Sequence, residues 1–290
     1  MSLTKKQWIA NGMLLLTAII WGFAFVSQKV GGERIGPYAF TGIRFLMGSA
    51  VLWPVIAFAD RRNPPSAEAK RLAYTKGLMA GGILGAASIL QQLGIGLTQA
   101  GKAGFLTALY VVLVPVIGFV FLRQRFRWPI AAAMLLAAAG LYLLSVTERF
   151  TIERGDTLVL VSALLFALHI LFVDRWAGKV EPLRMSSVQF FVTGVMGLLL
   201  MLPNETLTAD AIRDGLPALL YSGIMSVGVA FTLQVIAQKD AKPAHAAILM
   251  SLESVFSVIG GALLLNERMG LRSIIGCVLM FAAVLLAQKE

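Results

Sequence analysis

A single carboxylate interrupts an apolar stretch in the C-terminal part of this 290-residue chain. The stretch LMSLESVFSVIGGALLL runs from Leu249 to Leu265, and Glu253 is its one charged residue. At helical spacing, Glu253 shares a face with Ser257 and with the pair Gly260/Gly261. Ionisable residues within membrane-spanning helices usually face the protein interior and indicate function. Glu253 is therefore predicted to point away from lipid and to contact a substrate or carry a coupling proton.

Two further ionisable side chains lie inside apolar stretches. His169, in FALHILFV, would act as a proton relay or form only a structural hydrogen bond. Arg44, in PYAFTGIRF, would extend to the membrane interface or form an internal ion pair. The structural alternative for Glu253 is a carboxyl group that joins its helix to a neighbour, with Arg44 as one partner. Glu253 and His169 are thus the candidates for proton coupling, and Arg44 is the candidate for a structural ion pair.

The remaining candidate residues are uncharged. Trp21 and Phe25 lie about one helical turn apart and would form an aromatic wall for substrate or a packed core. Gln91 and Gln234 would bind a zwitterion or join helices by hydrogen bonds. This mixture suits small amphiphilic or zwitterionic metabolites better than polyanions. The predicted substrate-binding residues are Trp21, Phe25, Gln91, Thr107, Tyr110, His169, Gln234, Glu253 and Ser257.

The elements that position these residues must be helices in a lipid bilayer. The chain is 58% hydrophobic and only 14% charged, with a mean hydropathy of +0.80. A soluble domain is about 45–50% apolar, so a water-soluble fold could not bury this much apolar surface. Lipid offers the backbone no hydrogen-bond partner, which leaves helices as the spanning structure. Ten apolar runs predict ten spans, near residues 8–28, 36–58, 74–97, 102–122, 128–146, 157–174, 183–202, 215–237, 243–265 and 270–288.

The two halves of the chain resemble each other. A shift of 143 residues aligns Gly85–Arg125 with Gly228–Arg268, and the matches include Gln91 with Gln234. The same shift places Tyr110 opposite Glu253. Each half carries five predicted helices, an odd number, so the second half must enter the membrane from the other side. Inverted repeats with a binding site at their interface near the membrane midplane are typical of secondary transporters.

The basic residues predict the orientation. With the N-terminus inside, the cytoplasmic segments hold fifteen Lys and Arg residues and the opposite loops hold eight. Both termini are therefore predicted to be cytoplasmic. The formal net charge of +10 does not indicate a nucleic-acid partner, because the basic residues are spread among short loops instead of clustered.

Four segments together resemble the EamA branch of the drug/metabolite transporter superfamily. They are AIIWGFAFV (Ala18–Val26), PYAFTGIRF (Pro37–Phe45), GLTQAGKAGFLTALYVVLVP (Gly96–Pro115) and LESVFSVIGGALLLNER (Leu252–Arg268). The resemblance covers nearly the whole chain and implies two inverted five-helix EamA-like repeats, residues 1–146 and 155–290. It also implies a central cavity lined by helices 1, 3, 4, 6, 8 and 9, with helices 5 and 10 peripheral. Ser254 stands where the family usually has proline after the glutamate.

Function follows from these features and from motifs that are absent. The sequence contains no GxxxxGK[ST], GxSxG or HExxH motif and no Cys/His cluster, so no metal, cofactor or enzymatic activity is expected. The leading hypothesis is an exporter of amino acids or drug-like compounds in a bacterial-type cytoplasmic (inner) membrane. The alternatives are an uptake carrier, an uncoupled facilitator, a passive channel and, remotely, an intramembrane enzyme. The expected partners are the lipid bilayer and a small-molecule substrate, and the protein would act as a monomer or a homodimer.

Overall fold

The computed structural model describes residues 4–98, 100–124, 127–145, 153–264 and 270–288, and these residues form ten helical spans. The all-helical, ten-span fold class is confirmed: eight spans are long and apolar enough to cross a membrane, and α5 and α10 are shorter apolar helices. The predicted span ends at 146 and 265, and the last residues of the segment that ends at Arg268, lie outside the described residues. The spans are α1 (Lys5–Ile35), α2 (Pro37–Arg62), α3 (Ala67–Leu97), α4 (Ala100–Ala108 and Tyr110–Leu122), α5 (Trp128–Ser145), α6 (Arg154–Ala177), α7 (Pro182–Asn204), α8 (Ala209–Leu220, the π-helix Tyr221–Phe231, and Thr232–Ala237), α9 (Pro243–Met250 and Glu253–Leu264) and α10 (Leu271–Ala287).

Several helices begin before the apolar run that predicted them. Helix α3 starts at Ala67 instead of residue 74, and α8 starts at Ala209 instead of residue 215. A capping side chain precedes each start: Ser66 accepts a hydrogen bond from the Ala69 amide, and Thr208 accepts one from the Ala211 amide. Hydropathy detects only the part of a helix within the hydrocarbon layer, whereas a cap fixes where the helix begins.

Two helices are interrupted at repeat-related positions. Helix α4 breaks at Leu109 and α9 breaks at Ser251 and Leu252. Leu109 and Leu252 are 143 residues apart, which is the offset of the repeat. A 3₁₀-type hydrogen bond, between residues three apart, marks each break. The Leu109 amide donates to the Leu106 carbonyl oxygen, and the Leu252 amide donates to the Leu249 carbonyl oxygen. The break in α9 therefore forms with Ser254, rather than proline, after Glu253.

The helices pack with the symmetry expected of inverted repeats. Helices α2 and α7, α4 and α9, and α5 and α10 pack as repeat-related partners. The contact between α1 and α9 is matched by that between α6 and α4, and the contact between α3 and α6 by that between α8 and α1. Large apolar side chains such as Phe121, Leu202 and Leu271 are exposed on the outer surface, as a lipid-facing surface requires. This arrangement confirms the fold of two inverted five-helix repeats.

Helices α2 and α7 run antiparallel in close contact along their length. A Cβ atom on Gly197 would lie 2.7 Å from the backbone nitrogen of Gly42, so the two backbones nearly touch there. The Ser49 hydroxyl donates to the Ser187 carbonyl oxygen at 2.8 Å, further along the same interface. Small residues permit this approach, which is how helices associate in lipid without a hydrophobic driving force.

Each end of the α2–α7 pair is held by a carboxylate. At one end, Glu205 after α7 accepts hydrogen bonds from the backbone amides of Tyr38 (2.9 Å) and Ala39 (2.8 Å) at the start of α2. Gly36, with φ of +100°, precedes α2, and a Cβ there would lie 2.6 Å from the Glu205 carboxylate. At the other end, Asp60 of α2 accepts two hydrogen bonds from Arg184 of α7, at 2.7 and 2.8 Å. Asp60 and Glu205 are 145 residues apart, and the same offset aligns Pro37 with Pro182, the first residues of α2 and α7.

Candidate functional site

A central cavity lies between the two repeats, with about 520 Å³ of space between atoms that includes space open to solvent. Eight of the nine predicted substrate-binding residues line it, and so does Arg44. Helices α1, α3, α4, α6, α8 and α9 provide the wall, and α2 adds Arg44. None of the lining residues comes from α5 or α10. The wall consists of Trp21, Phe25, Gln28, Arg44, Ser88, Gln91, Thr107, Tyr110, Phe166, His169, Ile170, Ser226, Phe231, Gln234 and Glu253.

A hydrogen bond between Tyr110 and Glu253 joins the two repeats across the cavity. The Tyr110 hydroxyl donates to Glu253 Oε1 at 3.0 Å, and each residue is only 3% exposed. Tyr110 and Glu253 are each the first residue after the break in their helix. The two breaks lie at repeat-related positions, and the two residues that follow them meet. Helix α1 packs directly against the break in α9, because a Cβ on Gly22 would lie 2.7 Å from the Glu253 carbonyl oxygen. The buried carboxyl group is thus fixed by a neutral hydroxyl.

Arg44 does not pair with Glu253, although both line the cavity. No carboxylate among the described residues lies within ion-pair distance of the Arg44 guanidinium. The group instead lies near two aromatic rings of its own helix, 5.5 Å from the centroid of Phe40 and 5.1 Å from that of Phe45. The structural ion pair considered from the sequence is therefore not formed in this structure, because the carboxyl group of Glu253 is directed to Tyr110.

The two repeat-related amides have different partners. Gln91 donates from Nε2 to the Thr107 hydroxyl at 3.2 Å, which connects α3 to α4. Gln234 donates to Gln238 Oε1 at 3.0 Å, and Gln238 donates to the Ile170 carbonyl oxygen at 2.9 Å. The Gln234 Oε1 atom is buried and has no hydrogen-bond partner among the described residues. Gln234 therefore keeps an unused acceptor at the cavity wall.

An aromatic cluster forms one side of the cavity. The Trp21 and Phe231 ring centroids are 4.6 Å apart, and the Trp21 indole donates to the Ser226 carbonyl oxygen at 3.2 Å. Phe231 also lies beside Phe45 (5.9 Å) and His169 (6.4 Å). Such a surface suits the apolar part of an amphiphilic solute.

His169 lies in the cavity wall but is held by a neighbouring amide. Its Nε2 atom is 2.9 Å from Gln189 Oε1, and the residue is 1% exposed. The offset of 145 residues that aligns the starts of α2 and α7 places Gln189 opposite Arg44. Within the described part of the chain no three His, Cys, Asp or Glu side chains are grouped as metal ligands.

Ser257 is the predicted site residue that the structure does not bring to the cavity. It is half-buried, about one turn beyond Glu253, where α9 packs against α1 through the contact of Phe256 with Gly22. The sequence reasoning missed Gln28, Ser88, Phe166, Ile170, Ser226 and Phe231. Ser88 and Phe231 were detectable, because each precedes a repeat-related glutamine, Gln91 or Gln234, by about one turn.

Two inverted five-helix repeats around a buried cavity with a mixed polar and aromatic wall are an arrangement found in many membrane transporters. The model of the EamA-like transporter family matches residues 8–146 and 153–288. The chain therefore belongs to the EamA-like family, within the drug/metabolite transporter superfamily.

Similar proteins agree with this assignment. An uncharacterized transporter of Archaeoglobus fulgidus is 28% identical over 97% of this chain and 86% of its own length. The uncharacterized transporter YoaV of Bacillus subtilis is 22% identical over 93% of this chain and 94% of its own. One solved crystal structure matches the fold with a TM-score of 0.80 at 18% identity, covering 97% of this chain and 96% of that one. The protein is a membrane transporter.

Proposed function

We propose that this transporter exports small amphiphilic metabolites, such as amino acids or drug-like compounds, from the cytoplasm by alternating access. The observation that carries the proposal is the cavity whose wall comes from both repeats and is bridged by Tyr110 and Glu253. A site between inverted repeats becomes accessible from each side in turn when one repeat rocks against the other. The Tyr110–Glu253 hydrogen bond lies where such a movement would change contacts.

The wall of the cavity supports the proposed substrate class. Aromatic rings at Trp21 and Phe231 offer apolar surface, and Gln91 and Gln234 offer amides. Its charged groups are Arg44 and Glu253, one of each sign, instead of the basic cluster that a polyanion would need. A solute with an apolar body and one or two polar groups fits this wall.

Proton coupling is assigned to Glu253 in this proposal. Its carboxyl group faces the cavity, and Tyr110 donates one hydrogen bond to it. The other titratable groups in the wall are Tyr110, His169 and Arg44. His169 is bonded to Gln189, which leaves Glu253 as the group whose proton could exchange most directly with the cavity. In this proposal the substrate and the proton of Glu253 compete, so that substrate binds after the proton has left and a proton returns after the substrate has been released.

The proposed setting is a bacterial-type cytoplasmic membrane with both termini inside. The excess of Lys and Arg in the segments on one side supports this orientation. The proposed repeats, residues 1–146 and 155–290, each supply one half of the cavity wall. A single chain encloses the cavity, so a monomer is the proposed working unit.

Counterflow in proteoliposomes tests the proposal. A thermal-shift screen of the purified protein against a metabolite panel would first identify a ligand. Its labelled form would then be followed with and without a proton gradient, in vesicles whose protein orientation has been determined by protease accessibility. Movement toward the vesicle face that corresponds to the outside, driven by inward proton flow, is the expected result. Flux independent of the gradient would indicate a facilitator, and ion currents at channel rates would contradict a carrier.

A further inference from the structure

Arg44 is a buried cation without an anionic partner. The residue is 3% exposed, and its Nε atom has no hydrogen-bond partner in the part of the chain that the structure describes. No described carboxylate lies within ion-pair distance of it. Its nearest favourable contacts are the rings of Phe40 and Phe45. Arg44 is also one of the residues that line the cavity.

A second buried arginine shows what is missing at Arg44. Arg184 on α7 is bonded to both carboxylate oxygens of Asp60, to Glu181 and to the Tyr74 hydroxyl. Arginine carries five N–H donors and keeps its charge in proteins, so a buried guanidinium without an anion is unfavourable. Attraction to aromatic rings compensates only partly. The donors of Arg44 are therefore available to an anion that enters the cavity.

We infer that Arg44 binds the carboxylate of the transported solute while the apolar part of that solute lies against Phe231 and Trp21. This inference rests on the proposed function and narrows its substrate class to carboxylate-bearing amphiphiles. Phe45 connects the two regions, since its ring centroid is 5.1 Å from the Arg44 guanidinium carbon and 5.9 Å from the Phe231 ring centroid. A guanidinium group binds a carboxylate through two parallel hydrogen bonds, which a neutral amide cannot match.

Binding of hydrocinnamate and of its neutral amide, hydrocinnamamide, tests this assignment. Both contain one aromatic ring and differ in the group that would meet Arg44. Affinities would be measured by thermal shift and by calorimetry on the purified protein. Wild type is expected to bind the carboxylate about 10- to 100-fold more tightly than the amide, as expected for hydrogen bonds to a charged group. Arg44→Gln should remove this preference and leave the affinity for the amide within about twofold.

Two further variants serve as controls. Arg61→Gln removes an exposed arginine at the other end of α2 and should bind both compounds as wild type does. Arg44→Lys keeps the charge but loses the planar fork, so it should retain a reduced preference for the carboxylate. This variant, with the wild-type comparison, also tests the assignment if Arg44→Gln fails to fold.

Several outcomes would overturn the assignment. They are equal binding of both compounds by wild type, binding of neither, or an unchanged preference in a folded Arg44→Gln protein. If Arg44 instead served to pair with Glu253 in another state, Glu253→Gln and Arg44→Gln would weaken binding of both compounds alike. Counterflow of labelled hydrocinnamate separates the two proposals. Preferential binding without flux contradicts the transport proposal alone, and flux without a carboxylate preference contradicts the role of Arg44 alone.

Discussion

The two repeats share their backbone design but divide the chemistry of the cavity between them. The fourth helix of each repeat, α4 in the first and α9 in the second, is broken at the same repeat position. The break precedes Tyr110 in α4 and Glu253 in α9. The first repeat places the small hydroxyl of Ser88 where the second places the ring of Phe231. Shared geometry thus supplies the position, and the residue at that position decides whether the wall is acidic, aromatic or neutral.

The ends of the α2–α7 pair show the same division. Asp60 and Glu205 occupy related positions, and each holds the start of the partner helix. Glu205 binds backbone amides directly, whereas Asp60 binds the side chain of Arg184. A carboxylate at a helix N-terminus also interacts favourably with the helix dipole. A carboxylate therefore holds each end of the pair, but its partners differ. We expect the two contacts to contribute different amounts to the free energy of unfolding.

Replacing the two residues of the bridging hydrogen bond should give the largest effect and the sharpest contrast between repeats. Glu253→Gln should reduce proton-driven counterflow to background, because an amide cannot exchange a proton. Tyr110→Phe removes only the donor and should slow flux by about tenfold or less, the equivalent of one hydrogen bond. Glu33→Gln, at an exposed glutamate, is the control. Proton-coupled flux that survives in a folded Glu253→Gln protein would contradict the coupling role.

His169 provides a direct comparison with Glu253. His169→Asn should leave the pH dependence of transport unchanged, because Gln189 holds the ring and Glu253 is the proposed proton carrier. The pH profiles of counterflow for wild type, His169→Asn and Glu253→Gln would be measured side by side. A profile that shifts in His169→Asn and persists in Glu253→Gln would transfer the coupling role to the histidine.

The two ends of the α2–α7 pair should differ in their contribution to stability. Arg184→Ala should lower the free energy of unfolding by about 2–4 kcal/mol, since Glu181 loses its partner and Asp60 keeps only Lys70, at 3.9 Å. Glu205→Gln should cost about 1 kcal/mol, because the amide oxygen can still accept one backbone hydrogen bond. Unfolding by SDS in mixed micelles would measure both, with Arg61→Gln as the control. Equal losses of unfolding free energy in the two variants would mean that the two carboxylate contacts stabilise the pair equally.

The smallest effects are expected at the repeat-related glutamines. Gln91→Leu removes the hydrogen bond to Thr107 and should cost about 1 kcal/mol or less of stability. Gln234→Leu removes both the bond to Gln238 and the unused acceptor, so it should weaken ligand binding more than Gln91→Leu does. The same unfolding and calorimetric measurements would compare the variants. A larger loss of binding in Gln91→Leu would reverse the assigned roles.

Much of the fold was predictable because its causes are local. Hydropathy located the ten spans, and an odd number of helices per repeat required inversion. The helix ends were less predictable, since Ser66 and Thr208 extend α3 and α8 beyond the apolar runs through caps that hydropathy does not detect. The break in α9 also escaped prediction, because it forms without a proline; α1 packs closely beside it, at Gly22.

Eight cavity residues were predicted from polarity or aromatic character at buried positions. Phe231 was missed, because a phenylalanine in an apolar helix carries no signal by itself. It ends the π-helix Tyr221–Phe231, whose wider turn brings residues five apart, here Ser226 and Phe231, to the same face. Ser257 was predicted to share a face with Glu253, which ideal helical spacing supports. In the structure Ser257 does not line the cavity, and the neighbouring Phe256 packs against Gly22 of α1.

The sequence by itself determined the solvent, the number of spans, the inverted repeat and the presence of a carboxylate at mid-membrane depth. These properties depend on the length of each apolar run and on the periodicity along one helix, and both can be counted in the sequence. Only the tertiary structure decided that Glu253 meets Tyr110 and that Arg44 lines the cavity without a carboxylate partner among the described residues. Such contacts depend on how closely helices approach and where they break, and several helices set those distances together.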